Sequence, residues 1–151
     1  MQDKVLQIVN NKKANFEYEI LDTFEAGIVL KGTEVKSIRL KKVNIEDSYA
    51  RIMEGEIFIV GVNISHYNKG NRFNHEPVRD RKLLMHKQEI KRLTGKLKER
   101  GFTLVPLKMY FKNGKVKILL GLGKGKAKYD KRRAIQKRDL DREMQREWRK
   151  R

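Results

Sequence analysis

The chain has 151 residues, enough for one domain with a real core and too few for two. Lys and Arg number 37 against 19 Asp and Glu, a formal net charge of +18, and self-repulsion of that size points to a polyanionic partner. Nucleic acid is the first candidate and an anionic membrane surface the second, while the absence of cysteine excludes disulfides, thiolate metal sites and cysteine nucleophiles.

The opening stretch, "MQDKVLQIVNNKKANF", has neither an apolar leader core nor an arginine-rich amphipathic pattern, and its first dozen residues read as polar and loose. In "FEYEIL", Phe16, Tyr18 and Ile20 alternate with the period of a half-buried strand. "EAGIVL" follows at once, so the two runs are hairpin partners or one strand bent at Gly27. "GTEVKSIRLKK" changes period: Val35, Ile38 and Val43 suit a short helix with Thr33 as its N-cap. "DSYARIM" and "EIFIVGVNI" read as strands flanking a Glu54–Gly55 turn. From Ser65 to about Arg81 the chain is rich in Asn, Gly and Pro without period, which predicts a long loop. Ile90, Leu93 and Leu97 then recur at helical spacing, and Gly101 stops the helix. "KMYFKNGKVKILL" is the clearest hairpin, because Asn113–Gly114 supplies the two positive φ values of a type I′ turn. The longest apolar run, around Ile118 to Leu122, has the length of a strand and not of a membrane span.

These elements predict a β-dominated fold with flanking helices: about six strands and two or three helices. Many short strands without strand–helix alternation favour a closed antiparallel barrel of the OB type, covering residues 1–123, over a parallel sheet. From Lys124 to Arg151 the material changes, with 13 Lys and Arg against 5 Asp and Glu. Leu140, Met144 and Trp148 recur every four residues and give a helix one thin apolar stripe. The expectation for 124–151 is a basic tail, disordered alone and helical once a polyanion neutralises it.

No constellation for catalysis stands out, and no cofactor or metal is expected. His66 and His75 share a loop whose nearby carboxylates, Glu76 and Asp80, form no cluster. "GLGKGK" fails the phosphate-loop spacing, since Ala127 stands where a hydroxyl is needed. Nucleic-acid chemistry fits better. "HYNKGNRFNH" sets Tyr67 and Phe73 among cations and amides, where rings stack on unpaired bases and cations meet phosphates. The plainer reading is that both rings pin the loop to the barrel.

Taken in order, "FEAGIVLKGTEVKSIR", "VNIEDSYARI", "NHEPVRDRKLL" and "GFTLVPLKMYFKNGKVKILLGLGKGKAKYDKR" resemble the SsrA-binding protein family, also called small protein B. The resemblance runs from about Asn11 to Arg133. It implies an OB-type barrel with a basic tail, no catalytic activity, and a cytoplasmic, monomeric protein. The implied partner is the tRNA-like domain of transfer-messenger RNA, delivered to stalled ribosomes for trans-translation together with elongation factor Tu and GTP. Matched to the family's motifs, the RNA-contact positions are Asn11, Lys12, Glu25, Lys82 and Leu84, with Lys124 and Lys126 after the last strand. Tyr129, Asp130, Lys131 and Arg132 match the family's decoding-centre motif, and Trp148 belongs to the tail that lies in the empty message channel beside small-subunit ribosomal RNA. Gly121 and Gly123 depart from small alanines of the family, which implies a looser junction, and Ala127 stands where a second lysine is usual.

Three other readings remain open on the residues alone. A general RNA-binding or ribosomal protein would use the same barrel with affinity that tracks phosphate count. An RNA-modifying enzyme would place its site in the His66–His75 loop. A membrane-surface tail would use Trp148 and its flanking arginines.

Overall fold

The structure is a computed structural model that describes residues 3–68, 74–99, 101–126 and 138–146. Nine strands and three helices follow in the order β1 (Val5–Asn10), α1 (Lys12–Glu17), β2 (Tyr18–Ile28), α2 (Gly32–Arg39), β3 (Val43–Asn44), β4 (Tyr49–Met53), β5 (Glu56–Val60), β6 (Asn63–Ile64), β7 (Arg81–Leu84), α3 (Lys87–Leu97), β8 (Phe102–Lys112) and β9 (Lys115–Gly125). Residues 138–146 form a further helical segment, exposed at every position.

Six strands close into a ring. β8 pairs β4, β4 pairs β5, β5 pairs β7, β7 pairs β2, β2 pairs β9, and β9 returns to β8, every pairing antiparallel. The ring is thick along β2–β9–β8 and thin at two seams, Ala50 against Leu104 and Gly27–Ile28 against Leu84–Leu83. A closed ring leaves few edges for other chains to pair with. Its interior is packed with Ala26, Ile57, Ile59, Leu83, Leu104, Met109, Ile118 and Leu120, all almost fully buried. α2 contributes Ile38 and α3 contributes Ile90 and Leu93 to the same core. The barrel expected from the sequence is therefore present, as are both hairpins. Glu54 and Gly55 (φ 51° and 76°) and Asn113 and Gly114 (φ 51° and 79°) occupy the left-handed region that a type I′ turn requires.

Four local expectations are corrected. The first dozen residues are not loose: β1 pairs with Lys108–Lys112 of β8 as a seventh strand outside the ring. Phe16 belongs to α1, not to a strand; Asn11 caps that helix, its Oδ1 accepting from Ala14 N at 3.1 Å. "FEYEIL" and "EAGIVL" otherwise make one strand, and its irregularity lies between Ile20 and Asp22 and not at Gly27. In α2 the N-cap is Lys31, whose N–H donates to the Glu34 carboxylate at 2.8 Å; Thr33 instead meets His75, and Val43 is in β3.

Arg81, at the expected end of the long loop, opens β7, a strand the sequence did not predict. Arg81 is fully buried and points its guanidinium inward, where an apolar residue would be expected. Its Nε donates to Glu34 Oε2 at 2.5 Å, and its terminal nitrogens donate to the carbonyls of Val62, Arg79, Glu76 and Pro77. Arg79 holds the other Glu34 oxygen at 2.6 Å. Burial alone would push the Glu34 carboxyl up; the bonds from Arg79, the Lys31 N–H and Arg81 overcome it and hold the group below its ordinary value. This cluster ties α2 and the segment before β7 to the barrel wall.

Candidate nucleic-acid interface

Ring closure lines up outward-facing residues from five strands. Leu84 of β7 sits opposite Gly27 of β2, Gly27 opposite Lys117 of β9, Lys117 opposite Tyr110 of β8, and Tyr110 opposite Gln7 of β1. A second row runs Glu25, Leu119, Lys108 and Asn10. Residues opposite one another share a face, so these rows form one continuous outer surface. Gly27 matters here through close approach: a Cβ there would lie 3.3 Å from Leu84 Cβ and 3.6 Å from Lys117 Nζ. Bare backbone lets the exposed Leu84 side chain lie beside the Lys117 ammonium.

Lys82 and Leu84 alternate on β7 with buried Arg81 and Leu83, so both point outward. Lys82 Nζ lies 3.1 Å from Glu56 Oε1, an exposed pair that costs little to break. Glu25 stands over a groove of about 340 Å3 lined by Asp3, Val5, Gln7, Lys108, Tyr110, Lys112 and Leu119. Its Oε2 accepts from the Tyr110 hydroxyl at 2.5 Å, and Lys112 Nζ reaches both oxygens at 3.3 and 3.4 Å. The Tyr110 bond first, then Lys112, holds the Glu25 carboxyl below its ordinary value against the opposing effect of burial, and it stays an ionised acceptor. Burial and this carboxylate together push the Tyr110 hydroxyl far up, so it stays a donor.

The structure thus brings Glu25, Lys82 and Leu84 onto one face. Lys12 is exposed just beyond the Asn10 end of the second row, whereas its neighbour Asn11 is buried. The Asn11 amide donates to Pro106 O at 2.8 Å and Ile45 O at 3.3 Å, so all its side-chain atoms are engaged within the fold. Lys124 and Lys126 lie at the opposite end of β9 from Lys117, seven to nine residues along, or about 20–30 Å of strand. There Lys126 N donates to Glu17 O, and its Nζ donates to Asn15 O at 3.1 Å, both on α1. Tyr129, Asp130, Lys131, Arg132 and Trp148 lie outside the described residues, as does Phe73.

A family model described as SmpB protein matches residues 8–150. The chain belongs to the SmpB family. An SsrA-binding protein of Carboxydothermus hydrogenoformans is 61% identical over 138 residues, 91% of this chain and 93% of that one. The SsrA-binding protein of Bacillus subtilis is 56% identical over 139 residues, 92% of this chain and 89% of that one. A solved structure described as "tmRNA-SmpB: a journey to the center of the bacterial ribosome" superposes with a TM-score of 0.69 at 48% identity, covering 85% of this chain and 94% of that one.

Four residues on the outer face were not singled out from the sequence: Lys108, Tyr110, Lys112 and Lys117. Strand alternation placed them on one side of a hairpin, but only the pairing of β9 with β2 sets them beside Glu25. The expected looseness at Gly121 and Gly123 is also absent. Both are buried within β9, and a Cβ on either would come to 2.9 Å from Leu107 or Tyr18. In the His66–His75 loop, His75 is buried with Nε2 2.8 Å from Ile64 O and Nδ1 2.9 Å from Thr33 Oγ1. Nε2 must carry the proton to meet a carbonyl, so both ring nitrogens serve the fold. Tyr67 is pinned to Asn74 through its backbone N–H and carbonyl. Among the described residues, no group of three or more His, Asp or Glu could hold a metal ion.

Proposed function

We propose that this chain binds the tRNA-like domain of transfer-messenger RNA and helps deliver it to stalled ribosomes for trans-translation. The observation that carries the reading is the outer face itself: Leu84, Lys117 and Glu25 in adjoining rows with Lys82 two residues from Leu84 on β7, in a chain 61% identical to an SsrA-binding protein. Lys12 and Lys82 meet phosphates, Leu84 offers an apolar surface to an unstacked base, and Glu25 accepts from RNA donors. Asn11 serves the site by fixing where α1 begins.

The chain acts as a barrel followed by a tail. Lys124 and Lys126 continue the cationic path along α1 toward the tail, whose Tyr129, Asp130, Lys131, Arg132 and Trp148 occupy the decoding centre and the empty message channel against ribosomal RNA. Elongation factor Tu with GTP joins the same complex. The protein works as a cytoplasmic monomer without catalysis of its own. Among the described residues, no helix is long and apolar enough to cross a membrane.

The test is filter binding of the full chain to the tRNA-like domain and to a plain hairpin RNA of equal length across a salt titration. About six phosphate contacts cost either RNA roughly a thousandfold between about 50 and 200 mM salt. A preference for the tRNA-like domain that persists at high salt supports the reading. Curves that merge leave a general polycation.

A further inference from the structure

The outer face carries Lys82, Lys108, Lys112 and Lys117, yet a carboxylate stands among them. Phosphate binding alone would disfavour a negative charge at that point. The carboxylate is also held unusually firmly for a surface group. The Tyr110 ring is almost fully buried in β8, so its hydroxyl has one position, 2.5 Å from Glu25 Oε2. Lys112 bridges both Glu25 oxygens and is itself 3.6 Å from Asp3. Asp3 accepts in turn from the Asn113 amide at 3.0 Å, and Asn113 Oδ1 accepts from Lys4 N at 3.0 Å. A chain of bonds thus runs from the β8–β9 turn and the start of β1 to one carboxylate.

We propose that Tyr110 and Lys112 are positioning residues that hold Glu25 as a fixed acceptor for the N–H edge of one unpaired RNA base. The groove then supplies selectivity among RNAs, not bulk affinity. This rests on the RNA-binding reading above. An ionised carboxylate accepts about four hydrogen bonds; Tyr110 and Lys112 take up three of these sites, and the remainder is left for the groove. The groove's volume of about 340 Å3 lies at the lower end of small-ligand sites, which span about 300–1,000 Å3. Val5 and Leu119 give it apolar walls for the base plane, while Lys108 stands ready for a flanking phosphate. A phosphate in place of the base would meet the Glu25 charge.

The experiment compares wild type, Tyr110→Phe, Glu25→Gln and the double variant for binding to the tRNA-like domain and to the plain hairpin at high salt. Tyr110→Phe removes only the hydroxyl and keeps the buried ring; circular dichroism and urea midpoints confirm that each variant is folded. The expected result is a loss of about tenfold for the tRNA-like domain with Tyr110→Phe, the lower end of what a bond to a charged group contributes, and no change for the hairpin. The double variant should bind no worse than Glu25→Gln alone, because Tyr110 acts through Glu25. A pH series separates this from a merely structural role. Wild-type selectivity should fade as pH drops through the low carboxyl value of Glu25, and Tyr110→Phe should move that fade to higher pH. Equal losses for both RNAs, additive losses in the double variant, or an unmoved pH midpoint would overturn the proposal while wild type still prefers the tRNA-like domain. If wild type itself shows no preference, the RNA assignment fails, and this inference with it.

Discussion

Asn11, matched to an RNA-contact position, has its whole side chain engaged within the fold. Its amide holds Pro106 O and Ile45 O, its Oδ1 caps α1, and its backbone N–H donates to Leu107 O at 2.7 Å. Replacing it with alanine removes a helix cap and the amide donor to the buried Pro106 carbonyl, while Ile45 O keeps the Ser48 hydroxyl, at a cost of about 1–3 kcal/mol. Asn11→Ala should therefore lower the urea midpoint while RNA affinity, measured where the variant is folded, stays close to wild type. Loss of affinity with an unchanged midpoint would show that Asn11 contacts RNA directly. The sequence marks Asn11 as a polar residue in "NKKA"; nothing local says that its partners lie 34 and 95 residues away. Glu25 carries the same lesson. Nothing next to it in the sequence marks its partners, and only Tyr110 and Lys112, 85 and 87 residues on, hold its carboxylate in place.

At the scale of elements, the hairpins and α3 were legible because their signals are short-range: a positive-φ turn pair and a two-residue or helical period; α3 itself ends at Leu97, short of the Gly101 stop read from the sequence. β1 and β7 were not legible. In β1 only Ile8 is buried, since the strand hangs beyond the ring on β8, so it has no clean apolar alternation. In β7 an inward arginine interrupts the apolar pattern of a four-residue strand. The end of β9 likewise required the structure. Lys124 pairs with Glu19 and Phe102, Gly125 pairs with Tyr18, and Lys126 N bonds Glu17 O. Truncation after Lys126 keeps these pairings, so it should spare binding to the tRNA-like domain and abolish tagging in a reconstituted trans-translation assay. Loss of both activities would mean that the tail belongs to the RNA-binding surface. A cut after Gly123 would confuse the two, because it strips the last pairs of β9 from β2.

For the whole molecule, stability rests on a buried ion cluster as well as on apolar packing. Glu34 and Arg81 are both fully buried, and removing one charge from such a cluster leaves the other unpaired, at about 3–5 kcal/mol. Glu34 titrates below its ordinary value of 4.5 in the folded chain, so the unfolded chain binds protons first as pH falls. Its stabilisation is fully present above about pH 4.5 and is lost as pH drops through the lower folded value. Urea midpoints should be flat through neutral pH and decline below that point. Glu34→Gln should be less stable at pH 7 and show a shallower acid decline. An acid limb of equal depth in the variant would assign the loss to other carboxylates.

The sequence by itself determined the net charge, the antiparallel hairpins, the basic composition from Lys124 onward and the motifs that identify the family. Each of these is written in neighbouring residues or in composition. The tertiary structure decided the closure of the ring, the seating of Arg81 on Glu34, and the rows that carry Leu84, Gly27, Lys117 and Tyr110 across the barrel. Those depend on strand register between segments far apart in the chain, and a shift of one residue would turn every outward side chain inward. Local patterns fix which residues can face out together; only long-range pairing fixes which of them meet.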